Sequence, residues 1–229
     1  MDEIKSKNSW DMLWQNKGKD EEFDPVALIG YDKAIDVPVN DFVNQVITLI
    51  EQKLKLSASD CLLEVGCGAG MLLIPLSKSV KESVGADISG ALLSKLKTAY
   101  PELFLCLSEA IKLPFQSETY TKVLVHSVFQ YFPSFDYAEN VLLELLRVCK
   151  KKGLIFIMDI PDIEKKGECV SYLKKIHPEK VSDKLQHLFY SKGFFEEICM
   201  KNKSRCEIFD QNIKGYENSR FRFNILIEK

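Results

Sequence analysis

No run of about 18 or more apolar residues occurs in the chain, so no segment has the length of a membrane-spanning helix. There is no CxxC pair either. Cys61, Cys67, Cys106, Cys149, Cys169, Cys199 and Cys206 are scattered at wide spacings, which argues against a zinc site of the usual ligand spacing, and no metal is expected. An odd number of cysteines on apolar-patterned segments reads as free thiols in a reducing compartment, so the expected address is the cytoplasm. Met1 to Lys7 are charged, with no apolar run behind them, and no secretory signal is expected. An excess of one charge is also missing: 31 Lys and Arg face 33 Asp and Glu, with the signs interspersed. A nucleic-acid binder usually carries a basic patch or stripe, so nucleic acid is not the expected partner. No internal repeat or low-complexity tract appears.

What is present suits one large soluble domain: 229 residues, 46% apolar and 28% charged. Residues 1–38 hold both tryptophans, Trp10 and Trp14, and read as a short amphipathic helix and loop, packed on the main body or covering a site as a lid. Residues 39–229 read as a single domain. From Asn40 to Leu56, Phe42, Val43, Val46, Ile47, Leu49, Ile50 and Leu54 recur at helical spacing, with Asn40 or Asp41 as a cap. An alternating series follows. Strands are expected at 61–65, 80–86, 103–107, 122–125 and 153–158, and helices at 69–77, 89–100 and 137–149. Strands separated by helices of this length mean βαβ units and a parallel sheet, and their continuous apolar character fits burial on both faces. Residues 160–190 loosen into a polar, lysine-rich stretch that reads as a lid-like insertion. A helix at 191–202, capped by Ser191, is followed by strands at 205–209 and 221–227. No helix-length segment separates those two, so a hairpin at the sheet edge is expected. The fold class is α/β: a doubly wound, mostly parallel seven-stranded sheet, helices on both faces and an antiparallel C-terminal strand.

Glu64-Val65-Gly66-Cys67-Gly68-Ala69-Gly70 follows the first strand and opens a helix. Glycines there let the backbone turn tightly and approach a ligand, and the helix behind them offers unpaired N–H groups. The spacing is G-x-G-x-G, not the G-x-G-x-x-G of dinucleotide enzymes. Glu64, just before the first glycine, would repel a pyrophosphate and attract a cation such as the amino group of a methionine moiety. Asp87, followed by Ile88, ends the second strand where it can accept two ribose hydroxyls or cap the next helix. Cys67 reads as a small filler of the turn.

These residues resemble the class I S-adenosylmethionine-dependent methyltransferases, in particular the small stand-alone kind, from about Ser57 to Met158 and again in the terminal strands. The resemblance implies S-adenosyl-L-methionine as cofactor and S-adenosyl-L-homocysteine as product. It implies cofactor contacts from Glu64, Gly66, Cys67, Gly68, Gly70, Asp87, Ile88, Glu109, Ala110 and His126, with Glu109 and Ala110 reading the adenine edge. Arg147 to Gly153 is similar to the family's turn into strand five, although Lys151-Lys152 stand where Pro-Gly is frequent.

Open α/β sheets bind ligands beyond the carboxyl ends of their strands, so the acceptor side is sought after strands four and five. His126 there can take a proton near neutral pH, or form part of the cofactor wall. Asp159, after strand five, can orient a substrate hydroxyl or support His126. Gln130, Tyr131, His187, Tyr190 and Arg220 are the further substrate candidates, each with a plain packing or edge-charge alternative. Tyr31 and Trp14 read as a lid; His177 reads as exposed. The expected activity is methyl transfer to an oxygen or nitrogen of a small polar metabolite, a sugar or other biosynthetic intermediate. The alternatives are a non-catalytic cofactor-binding partner subunit, a methyltransferase acting on a macromolecule, and an NAD-dependent dehydrogenase. A homodimer is left open.

Overall fold

Five strands run parallel, as the apolar runs predict: β1 (Cys61–Val65), β2 (Glu82–Asp87), β3 (Phe104–Leu107), β4 (Tyr120–His126) and β5 (Cys149–Pro161). Two more, β6 (Arg205–Asp210) and β7 (Arg222–Glu228), complete one sheet in the order β3-β2-β1-β4-β5-β7-β6. β7 is antiparallel to both of its neighbours. The terminal hairpin therefore does not simply extend the rim: β6 is the edge, and β7 is inserted between it and β5. The structure is a computed structural model and describes residues 12–16, 23–29, 35–176 and 187–229. The readings of Trp10, Tyr31 and His177 lie outside the described residues.

Residues 12–16 form helix α1, followed by α2 (Pro25–Ile29) and α3 (Val39–Leu54). Phe42, Val46, Ile50 and Leu54 line the buried stripe of α3 and pack on Leu62, Leu124 and Phe156 of the central strands. The next residues along those strands, Leu63, Val123, Val125, Ile155 and Ile157, point to the opposite face. There they meet Val141, Leu142 and Leu145. Two covered faces thus explain why the strands read as unbroken apolar runs. Burying each such side chain stabilises the fold by about 1.5–3 kcal/mol.

Several boundaries differ from expectation. No side chain caps α3, because Pro38 precedes it and Asp41 lies within its first turn. The helix expected from Ala69 shrinks to α4 (Leu73–Leu76), followed by a 3-10 turn at Ser77–Ser79. Gly70, at φ +86°, keeps the preceding residues out of the helix, so no long helix stands behind the glycine turn. Ser89, not Asp87, caps α5 (Gly90–Ala99): its hydroxyl accepts from the Leu92 N–H at 3.3 Å. α6 (Phe135–Val148) passes directly into β5, so the expected turn before Gly153 is an extended, irregular strand entry with Lys152 at φ +62°. Within the stretch read as a lid-like insertion, 160–161 finish β5 and α7 (Lys166–Ile176) follows. α8 (Lys192–Lys201) is capped by Ser191, as expected.

Candidate functional site

The site is built where β1 stops between two neighbours. Glu64 pairs with Gly85 of β2 on one side and Leu124 of β4 on the other. Immediately beyond, Gly66, Gly68 and Gly70 all take positive φ (78°, 53° and 86°), a region that L side chains rarely enter. The Gly66 and Cys67 N–H groups both donate to the Ala86 carbonyl, at 2.7 and 3.2 Å, tying the turn to the end of β2. A Cβ on Gly66 would stand 2.3 Å from Val128 Cγ2, so the turn cannot carry a side chain there. Cys67 is buried, and burial first, then the Asp87 and Glu64 charges, push its thiol well above the ordinary range. It is a filler, not a nucleophile.

A cavity of about 1080 Å³, counting its open mouth, spreads from this turn across the ends of β1, β2 and β4. Its walls include Glu64, Gly66, Cys67, Gly68, Asp87, Ile88, Ala110, His126 and Tyr131. Glu64 is buried, and its Oε2 has no hydrogen-bond partner among the described residues. Burial, followed by the nearby Asp87 charge, raises its carboxyl well above the usual carboxylate range. The Asp87 carboxylate takes one backbone N–H on each oxygen, Gly68 on Oδ2 and Ser89 on Oδ1, both at 2.8 Å. Burial outweighs these bonds and raises its value too. The Ile88 backbone also acts on this carboxylate, which keeps acceptor capacity beyond its backbone donors. An orphaned acid beside a carboxylate with spare acceptor capacity fits a ligand carrying a cationic group and a pair of hydroxyls. S-adenosylmethionine is such a ligand: Glu64 would hold its ammonium end, Asp87 its ribose, and the Ser108–Ala110 segment its base.

His126, the last residue of β4, lines the far wall. Burial lowers its basicity and the Asp159 charge opposes that only in part, so the ring is neutral at neutral pH and can accept a proton. Tyr131 touches Trp14 edge-on, at 5.3 Å between ring centres, and His187 in the same manner at 5.3 Å. Trp14 itself lines the cavity.

Other expected site residues are placed elsewhere. Asp159 is inside β5, not beyond it, and is buried at φ +62°. It accepts from Gln211 Nε2 at 3.0 Å and the Tyr216 hydroxyl at 3.3 Å, and lies 3.5 Å from Arg222 Nε. It does not line the cavity, so its reading as a substrate-facing group is corrected to a buried hub joining β5 to the β6–β7 connection. Glu109 turns aside to Tyr137, whose hydroxyl donates at 3.4 Å, while Ser108 and Ala110 on either side do line the cavity. Gly70 packs beneath the turn, where a Cβ would meet Leu96 Cδ1 at 2.7 Å. Tyr190 is buried and its hydroxyl donates to the Phe129 carbonyl at 2.8 Å, a structural bond. Gln130 is buried and donates to Ser127 Oγ at 2.8 Å. Arg220 is exposed, rests over Tyr172 and Phe221 and pairs with Glu217 at 3.8 Å, away from the cavity. Met71, Val128, Phe132 and Tyr137 line the cavity without having been singled out. Their only sequence signal is position: after the glycine turn, after the β4 exit or, for Tyr137, in the first turn of α6.

Comparison with known proteins agrees with this geometry. Residues 63–157 match a family described as a methyltransferase domain. An uncharacterized methyltransferase-like protein of Schizosaccharomyces pombe is 26% identical over 165 residues, covering 69% of this chain and 63% of that protein. A segment of a probable nonribosomal peptide synthetase of Salinispora arenicola is 30% identical over 104 residues, 43% of this chain and 1% of that protein. The chain therefore spans 63% or less of the length of the curated relatives it matches. Phosphoethanolamine N-methyltransferase 1 of Haemonchus contortus, solved with phosphoethanolamine and S-adenosylhomocysteine, superposes with a TM-score of 0.74 at 13% identity. That alignment covers 100% of this chain and 49% of the other, and at such identity it is a likeness of fold. The domain match at residues 63–157, the seven-stranded sheet and the acid-flanked glycine turn together support a methyltransferase domain of the class I, S-adenosylmethionine-dependent kind.

Proposed function

We propose that the protein transfers a methyl group from S-adenosylmethionine to an oxygen, or a nitrogen, of a small polar metabolite such as a sugar or other biosynthetic intermediate. The observation that carries this reading is Glu64: a buried acid without a hydrogen-bond partner among the described residues, aimed into a cavity beside Asp87. The cofactor supplies an electrophilic methyl carbon on a sulfonium. The chain supplies alignment and, for a hydroxyl acceptor, a base. His126 is the candidate base, since it is neutral and lies on the cavity wall nearest the β4 exit. We read residues 1–38, whose described helix α1 puts Trp14 on the cavity wall, as a lid on a single domain of residues 39–229; the lid-like stretch begins only after β5 ends at Pro161. A small acceptor is favoured by the near-balanced charge and the largely apolar cavity wall of Met71, Leu72, Val128 and Phe132.

Calorimetric titration with S-adenosylhomocysteine, with NAD as the comparison ligand, tests the cofactor. Saturable one-site binding of S-adenosylhomocysteine alone is expected. Binding of NAD alone, or of neither, overturns the reading. Release of labelled methyl onto a panel of small hydroxyl and amine acceptors then tests turnover, and separates an enzyme from a non-catalytic subunit.

A further inference from the structure

Among the described residues, three hydrogen bonds fasten α1 to the segment that runs from the end of β2 into α5. The Gln15 side-chain amide spans that segment: its Nε2 donates to the Ile88 carbonyl and its Oε1 accepts from the Ala91 N–H, each at 3.3 Å. The third bond runs from Ser89 Oγ to the Trp14 carbonyl at 3.2 Å. Ser89 is fully buried, and its own N–H donates to Asp87 Oδ1 at 2.8 Å. The carboxylate that faces the ribose end of the cavity is therefore one residue away from the clamp holding α1. Trp14, immediately before Gln15, packs against Leu28, Ala69 and Leu92, and it lines the cavity together with Leu92. Across the cavity it meets Tyr131, which follows the β4 exit and touches His187 in turn.

Neither partner of Gln15 is a side chain. Ile88 O and Ala91 N are backbone groups at the start of α5, where N–H groups have no intrahelical acceptor. A carboxamide satisfies a donor and an acceptor at once, whereas a carboxylate of the same shape offers no donor to Ile88 O. The bracket thus specifies glutamine by chemistry as well as by size.

We propose that Gln15 is a positioning residue: it latches α1 onto the 88–91 segment, and thereby holds Trp14 as the wall shared by the cofactor and the acceptor. Cofactor seated on Asp87 orders the 87–91 segment and with it the latch. The inference rests on the methyltransferase reading.

The test uses the Trp10→Phe chain, which leaves Trp14 as the single tryptophan of the two present. S-adenosylhomocysteine affinity is measured by calorimetry, and acrylamide quenching of Trp14 is measured with and without that ligand. In this background the ligand is expected to shield Trp14 from quencher. Gln15→Met, which keeps the length and loses both bonds, is expected to weaken affinity about tenfold and to abolish the shielding. Gln15→Glu, which can still accept from the Ala91 N–H but has no donor for the Ile88 carbonyl, should fall between the parent chain and Gln15→Met. Full ligand binding with Trp14 left equally quenchable, or Gln15→Met indistinguishable from its parent, overturns the latch while leaving the cofactor reading intact. Absence of binding in the parent chain overturns both. Unchanged thermal melting of the variants excludes a folding defect as the cause.

Discussion

The carboxyl groups of Glu64 and Asp87, from the ends of two adjacent parallel strands, share one cavity wall with no cation between them among the described residues. Burial raises both, and the Asp87 charge raises Glu64 further. Two acids in this relation destabilise the empty protein and favour a ligand that brings a positive charge.

Glu64→Gln should therefore separate stability from function. The folded-state value of Glu64 is raised, so its contribution is fully present below the ordinary carboxylate range and is lost as pH rises through the raised value. At neutral pH the glutamine variant of the ligand-free protein is expected to gain on the order of 1 kcal/mol, or about 2–4 °C in Tm for a chain of this size. Its S-adenosylhomocysteine affinity should fall at least about tenfold. A variant that melts lower and binds normally would refute the assignment.

Ligand binding should also be linked to protons. A cationic partner lowers the Glu64 value that burial had raised, so affinity is full above the empty-state value and declines as pH falls through it. Calorimetry in buffers of different ionisation enthalpy is expected to record proton release on S-adenosylhomocysteine binding near neutral pH. The Glu64→Gln chain should release fewer protons.

His126→Ala should reduce methyl transfer to a hydroxyl acceptor by about 10²–10⁴-fold, with S-adenosylhomocysteine affinity within a few-fold. An unchanged rate removes the base assignment. Carbon-13 labelling of the three histidines provides a direct check. His126 should titrate below the ordinary value of 6.5, and His187, held down by burial and then by Arg222, at about 4.

Two further substitutions distinguish architecture from chemistry. Gly66→Ala forces a side chain to 2.3 Å from Val128 Cγ2 at φ +78°, and should destabilise the fold by about 2 kcal/mol or more. Val128→Ala in the same chain should recover only part of that loss, since the backbone strain persists. Tyr190→Phe removes the bond to the Phe129 carbonyl, and is expected to lower stability by about 1–2 kcal/mol. Its acceptor KM should be unchanged; a rise there would return Tyr190 to the substrate site.

The parallel sheet was legible because its signals are local. Leu62 and Leu63 are neighbours buried on opposite faces, and every central strand repeats that pattern. The glycine turn and its two acids were legible too, since Glu64, Gly66, Gly68 and Asp87 lie on consecutive elements. α4 was not: Ala69 to Ser77 has helical composition, but the φ of Gly70 belongs to the turn. Asp159 was misread for a different reason. Its partners Gln211, Tyr216, Arg222 and Asn224 arrive 52 to 65 positions later in the chain, and no local pattern encodes them. Glu109 was misdirected by one side chain, Tyr137, on a helix 28 residues away.

The order of the sheet also shapes how the chain reaches its native state. β7 follows β6 in sequence yet lies between β6 and β5, so the β5 rim stays open while everything up to Asp210 has already been translated. Until Ile225 and Ile227 slot beside Ile157 and Ile155, a nascent chain displays an unpaired apolar strand, the kind of surface that recruits chaperones or other copies. Assembly ends by filling a gap, with contacts of high sequence separation closing last, and such topologies fold slowly.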